Sequence, residues 1–169
     1  MSASIADIII KLCRESEGNL HDINHFLKVY AFAKCIGEKE GLEVQSQQVL
    51  ETAAVLHDIA CPLCREKYGN TAGHLQELEG PALTERFLAE FALPRDFVER
   101  VKWLVGHHHT YSDVERMEHR ILLEADFLVN AEEGGCSREQ IEAAKRSFFR
   151  SKTGLELLSD IYLSEDKRA

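Results

Sequence analysis

Apolar residues recur three and four apart along almost the whole chain, the period of an amphipathic helix, and no segment alternates as a half-buried strand would. The pattern predicts a first helix over about Ser4–Glu17, stopping at Gly18-Asn19. A second runs from about His21 to Glu40 and ends at Gly41, with Ile23, Phe26, Leu27, Tyr30 and Ala33 on its apolar face. A third starts near Ser46, a residue suited to an N-cap, and carries Val49, Leu50, Ala53, Ala54 and Leu56 up to His57. From Cys61 to Gly73 the chain reads as irregular, because Pro62, Gly69-Asn70 and Gly73 interrupt it. Pro81, after Gly80, and Pro94 each open a further helix, the second of which ends at Gly106. Another helix covers about Arg116–Ala131, Ser137 and Gln140 have the spacing of a capping box, and a last helix begins near Thr153. The expected class is all-α, about seven or eight helices in one domain spanning 1–169.

Composition narrows the function classes. With 44% hydrophobic and 29% charged residues, a chain of 169 residues can bury a core without disulfides or a structural metal. A metal in it would serve chemistry before stability. The net charge of −9, with no basic run, argues against a nucleic-acid duplex or an acidic membrane as partner. A small phosphorylated substrate stays open, since a bound metal supplies local positive charge inside an acidic protein. The apolar run Ile8-Ile9-Ile10, flanked by Asp7 and Lys11, falls far short of the roughly 20 residues of a membrane span and does not resemble a secretory signal. The five cysteines (13, 35, 61, 64, 136) are odd in number and irregularly spaced, so free thiols and a cytoplasmic location are expected. Cys61 and Cys64 lack the strand-helix setting of a redox pair and two further zinc ligands, and read as loop thiols.

The eight histidines change the picture most. Leu50, Ala53 and Ala54 precede His57 by one and two helical turns, which places His57 on the buried face and brings the Asp58 carboxylate to the edge of the core. Val29 and Phe32 do the same for His25, and Leu122 and Val129 for Asp126. Three helices thus put metal-competent groups among hydrophobic residues, where an unpaired carboxylate demands a cation. Imidazole and carboxylate together suit first-row divalent metals. His21 shares a face with His25, and His119, seven residues before Asp126, is read as a surface or supporting histidine.

The order of these residues resembles the HD-domain metal-dependent phosphohydrolases. His25 followed by Val29 and Ala33, the segment Ala53 to Ala60 around His57-Asp58, and Leu123 to Asp126 match that family's ligand helix, signature segment and final carboxylate. The resemblance covers about 20–132, followed by C-terminal helices over 137–162. It implies a first metal on His25, His57, Asp58 and Asp126, and in the two-metal members a second one that shares Asp58 and adds histidines, here best matched by His74 and His108, with His109 as a further candidate ligand. The register within His107, His108 and His109 is open by one residue. The implied cofactor is one or two divalent ions (Mn, Fe, Ni, Co, Mg or Zn). The implied activity is hydrolysis of a phosphomonoester or phosphoanhydride, a nucleotide among the candidates, by metal-activated water, with His107, His109 or Lys67 stabilising the leaving group. Alternatives on the same scaffold are a non-catalytic metal-containing regulatory module and a di-iron oxygenase. Two-metal relatives carry a phosphate-binding lysine where this chain has Cys61, and Lys28, Arg65 or Lys67 are the cations that could replace it. Oligomeric state is left open, a homodimer among the options.

Overall fold

The computed structural model describes residues 4–114 and 116–164; residues 1–3, 115 and 165–169, which the expected 1–169 domain includes, lie outside the described residues. Helix α1 (Ile5–Glu15) opens on a capping box in which the Ser4 hydroxyl accepts from the Asp7 amide and Asp7 accepts from the Ser4 amide. Helix α2 (Leu20–Glu40) is capped by Asn19 and ends where Gly41 turns left-handed at φ 74°. Helix α3 (Val44–Leu56) begins two residues before the expected Ser46, with Glu43 at its N-cap and no side-chain cap bond. Helix α6 (Arg95–Val105) follows Pro94, and α7 (Met117–Glu133) extends two residues past the expected end. Helix α8 (Arg138–Ser147) uses the Ser137–Gln140 capping box, and α9 (Lys152–Leu158) is capped by Ser151 before a short π turn, Ser159–Leu163. Among the described residues there is no strand, and the fold is all-α as the periodicity predicts.

Two expectations fail, both at proline. The stretch read as irregular contains α4 (Cys61–Tyr68), with Pro62 in its first turn, where the missing amide costs nothing, and Gly69 at φ 71° as its stop. Pro81 does not open a helix but lies inside α5 (Gly73–Leu88). That helix tolerates the lost amide bond because the Gly80-Pro81 segment packs on the end of α6. A Cβ on Gly80 would come within 2.7 Å of Val105 Cγ1, and one on Gly106 within 3.0 Å of Pro81 Cγ. Close helix contact there outweighs the local cost of the proline.

The core has α7 at its centre: eleven of its 17 residues are buried, against the single stripe of a surface helix. Helix α2 packs along α3 and α7, and α3 along α6 and α7. Val29, Ala33, Ile36, Leu50, Ala53, Ala54, Leu122 and Ala125 are all fully enclosed there. The small side chains let the three helix backbones approach closely, and so the ends of α3 and α6 meet the middle of α2 and α7. Glu124, also enclosed, is a structural acid: its carboxylate accepts the Arg150 amide at 2.7 Å and the Ser151 amide at 3.0 Å and ties the start of α9 to α7. Among the described residues, no helix is long and apolar enough to cross a membrane.

Candidate metal centre

Two of the histidines stand just past helix ends and use the same device. The last carbonyls of a helix have no intrahelical partner. His57 Nδ1 donates to the Ala54 carbonyl at 2.8 Å at the end of α3, and His108 Nδ1 donates to the Val105 carbonyl at 2.7 Å at the end of α6. Each imidazole closes its own helix and is left with Nε2 turned inward. On α2, His25 Nδ1 donates to Glu133 Oε2 at 2.8 Å, and Glu133 is held in turn by Lys28 Nζ at 3.1 Å. A partner on the far nitrogen fixes tautomer and ring orientation, the usual support of a metal-binding histidine.

The inward nitrogens converge with two carboxylates. His25 Nε2 and His57 Nε2 are 3.1 Å apart, and Asp126 Oδ1 stands 3.3 Å from the first and 3.4 Å from the second. Asp58 Oδ2 is 3.4 Å from His25 Nε2, while Oδ1 is 3.5 Å from His57 Nε2 and 3.4 Å from His108 Nε2. Donors that each bind one ion at about 2.1 Å stand about 3.0–3.4 Å from one another. The spacing therefore fits an ion among His25, His57, Asp58 and Asp126. A second group, Asp58, His108 and His109, shares Asp58 with the first. In it the Nε2 atoms of His108 and His109 are buried without a hydrogen-bond partner, an expensive state for a polar atom that an ion would relieve. The residues present fit two divalent ions.

The charges agree with that fit. Burial opposes protonation of His57, but Asp58 first and then Asp126 outweigh it and pull its pKa up to about 9. His25 is raised too, burial again being overcome, chiefly by Asp126. Both carboxyls, Asp126 buried and Asp58 half-buried, are held well below the usual range, Asp58 by His57 and His108, Asp126 by His25 and His57. Metal-free protein at pH 7 thus carries a proton on His57 Nε2, between lone pairs that would otherwise repel. Metal binding must displace it. Titration calorimetry in two buffers of different ionisation enthalpy is expected to show release of about one proton per first ion bound. Because the proton competes below the raised pKa, apparent affinity rises with pH to about 9 and flattens above it. Identical heats in the two buffers would contradict this protonation scheme.

Not every expected residue reaches the site. His108 and His109 do, whereas His107 turns away, donating to the Trp103 carbonyl at 2.7 Å and stacking on the Trp103 ring at 4.1 Å. His109 is positioned by α5: its amide donates to Glu77 Oε1 at 3.0 Å, and its ring lies so close to Gly73 that a Cβ there would meet His109 Cγ at 2.7 Å. Burial, with His108 beside it, pushes its pKa down to about 4, so the ring is neutral at pH 7. His74 is exposed on α5 and belongs to neither donor group. Lys67 is paired with Glu79 at 2.7 Å and does not line the metal cleft. His119, read as a surface or supporting histidine, is buried, its Nε2 donating to the His107 carbonyl at 2.9 Å. Cys61 and Cys64 are buried on α4 rather than on a loop, and burial followed by Asp58 pushes the Cys61 thiol up, so it stays protonated.

Periodicity alone passes over three polar residues here. Glu133 and Asn130, seven and four residues after Asp126, share its face of α7, and Asn130 donates to Asp126 Oδ1 at 2.8 Å. Helical spacing counted forward from Asp126 finds both. Gln76, buried on α5, donates to the Thr71 carbonyl at 2.8 Å and keeps Oε1 unpartnered. With His25, Asp58, His109 and Asp126 it lines a polar cleft of about 180 Å³, and Arg65, paired with Asp22, is the only lysine or arginine among the described lining residues.

A histidine and aspartate centre built where α2, α3, α6 and α7 meet defines an all-helical metal-binding protein. The model of the HD domain matches residues 22–159, most of the chain, and the chain belongs to the HD domain family, a family of metal-dependent hydrolases. No curated protein and no solved structure matches it.

Proposed function

We propose that the protein hydrolyses a small phosphate ester or anhydride, a phosphomonoester or phosphoanhydride, with one or two divalent ions as cofactor. The observation that carries this reading is the convergence of His25, His57, Asp58 and Asp126 at hydrogen-bonding distance, beside a second donor group that shares Asp58. Bound divalent ions supply water of lowered pKa and a charge that polarises a phosphoryl oxygen.

The chain's own residues supply positioning. Among the described residues Arg65 places the one strong cation at the cleft, where a guanidinium suits phosphate oxygens and takes the part of the absent lysine at position 61. Gln76 Oε1, fixed by the bond of its amide nitrogen to Thr71, leaves one hydrogen-bond acceptor in the cleft wall. His109 is neutral at pH 7, so it serves as a ligand and not as the acid for the leaving group. The Asp58 and Asp126 carboxylates, held ionised, keep the cleft negative until metal enters, which favours cation loading before substrate.

Protein purified without chelator and assayed with Mn, Co, Ni, Fe and Mg on nucleotides and sugar phosphates is expected to release phosphate only when metal is present, at equal rates in air and under nitrogen. Absence of metal-dependent phosphate release from every ester and anhydride tried would refute the reading, and a requirement for oxygen would replace it with oxidation. Within the same assay Arg65→Gln is expected to raise KM about tenfold with a smaller change in kcat, since it removes one charge-assisted contact that substrate and transition state both use. An unchanged KM would leave phosphate recognition to other groups.

A further inference from the structure

A larger cavity, about 450 Å³, adjoins the metal cleft, and Asp22 and Asp58 line both. Its floor is buried and apolar, made by Leu12 of α1, Phe26 of α2, Val55 of α3 and Phe87 of α5. Ile59 and Leu83 are half-buried walls, whereas Glu15, Arg86 and Glu90 are exposed at the rim. The polar groups nearest the floor are already engaged. Lys11 Nζ donates to the Phe87 carbonyl at 2.9 Å, pairs with Glu90 at 2.9 Å and lies 4.4 Å from the centre of the Phe87 ring. The Ser16 hydroxyl donates to the Leu12 carbonyl at 2.7 Å. Among the described residues, the buried side-chain atoms without a partner belong to Gln47, Gln76, Thr84, His108, His109 and His119, and none of these lines the cavity.

The cavity therefore has the volume of a small-molecule site, about 300–1,000 Å³ in general, without the convergent polar groups that read a base or a sugar. A ligand with many donors and acceptors would leave them unmatched against this floor. The geometry points to a binding site for the apolar part of a phosphate ester of an alkyl or aryl alcohol, its phosphate lying in the metal cleft beside Asp58 and Arg65. This substrate class rests on the phosphohydrolase reading and adds to it the identity of the organic group. Asp22 and Asp58 line both cavities, and Asp58 is common to both donor groups, which sets the groove within reach of the metal cleft and selects this occupant over a partner protein.

Calorimetric titration of manganese-loaded protein with octylphosphonate and with methylphosphonate tests the site without turnover. Each buried methylene contributes about fourfold in affinity, so a chain with four or more methylenes in the groove should bind at least about 100-fold more tightly than the methyl compound. The preference should persist in metal-free protein, because the groove holds the chain and not the phosphate. Leu83→Arg, which puts a charge in the wall, should cut the preference below about tenfold, with melting temperature and metal content showing that the variant is folded and loaded. Leu63→Glu, on the α4 side of the groove, serves as the second variant should the first fail to fold. Equal affinities for the two phosphonates overturn the proposal, as does a wild-type dimer in sedimentation velocity that Leu83→Arg dissociates, which would assign the groove to a second copy of the chain. Tight octylphosphonate binding with no hydrolysis of any ester removes the hydrolase reading and leaves the site standing. Hydrolysis together with equal affinities does the reverse.

Discussion

Asp58→Ala is expected to lower metal-dependent phosphate release by about a thousandfold or more and to leave the protein with little bound metal at either position. Among the described residues Asp58 is the one side chain that belongs to both donor groups, with Oδ2 3.4 Å from His25 Nε2 and Oδ1 3.4 Å from His108 Nε2. Metal ions are worth several kcal/mol of charge stabilisation in such reactions, and each 1.36 kcal/mol is tenfold in rate, which sets the size of the loss. The fold should survive, because the Asp58 side chain keeps 28% of its exposure and the Ala54 carbonyl still holds His57. An independent readout follows from the charges. The Asp58 charge is one of the two carboxylate attractions that raise His57, so in the variant His57 loses part of its proton affinity and metal binding releases less than one proton at pH 7. Elemental analysis, calorimetry and phosphate release together decide the matter. A variant that keeps its metal and its rate would remove Asp58 from the centre.

Part of this centre is legible in the sequence, and the rest is hidden for physical reasons. His25, His57 and Asp126 each have apolar neighbours one turn away, so helical periodicity by itself marks them as inward-facing. Periodicity fails where the chain turns. His107, His108 and His109 occupy the turn after α6, where one residue of register decides whether a ring meets Asp58 or stacks on Trp103. It also cannot tell two buried acids apart. Glu124 and Asp126 are both enclosed in α7, but the first is satisfied by the amides at 150 and 151 and only the second faces imidazoles. Helix α4 escapes the pattern because its eight residues hold little apolar periodicity beyond two cysteines, although Pro62 in the first turn is a legitimate start signal. Pro81 misleads in the opposite direction, since packing of Gly80 against Val105 overrides a local rule. The apolar cavity beside Asp58 draws on α1 to α5 and leaves no local signature at all.

His109→Ala should separate a one-ion from a two-ion centre. Resemblance to two-metal relatives points first to His74 and His108 for the second ion, with His109 as a further candidate, whereas the geometry groups His108 and His109 with Asp58 and leaves His74 exposed. The structural choice has a physical basis. His109 is neutral at pH 7, its Nε2 is buried with no partner, and Glu77 and Gly73 fix its backbone and ring, so it is a ready lone-pair donor held in place before any ion arrives. His74 would have to leave solvent and be ordered at a cost of about 1 kcal/mol or more in side-chain freedom. The expected result is therefore that His109→Ala binds one ion per chain where the wild type binds two, with hydrolysis down about a hundredfold, the scale expected when one of two charges on the phosphoryl group is lost. His74→Ala should keep both ions. Metal stoichiometry from elemental analysis, read beside the rates, distinguishes the outcomes. If His74→Ala loses the second ion and His109→Ala keeps it, the start of α5 must rearrange on metal binding to carry His74 inward. If the wild type binds a single ion and both variants match it, the shared carboxylate of Asp58 serves one metal, and His108 and His109 contribute the polarity of the cleft wall alone.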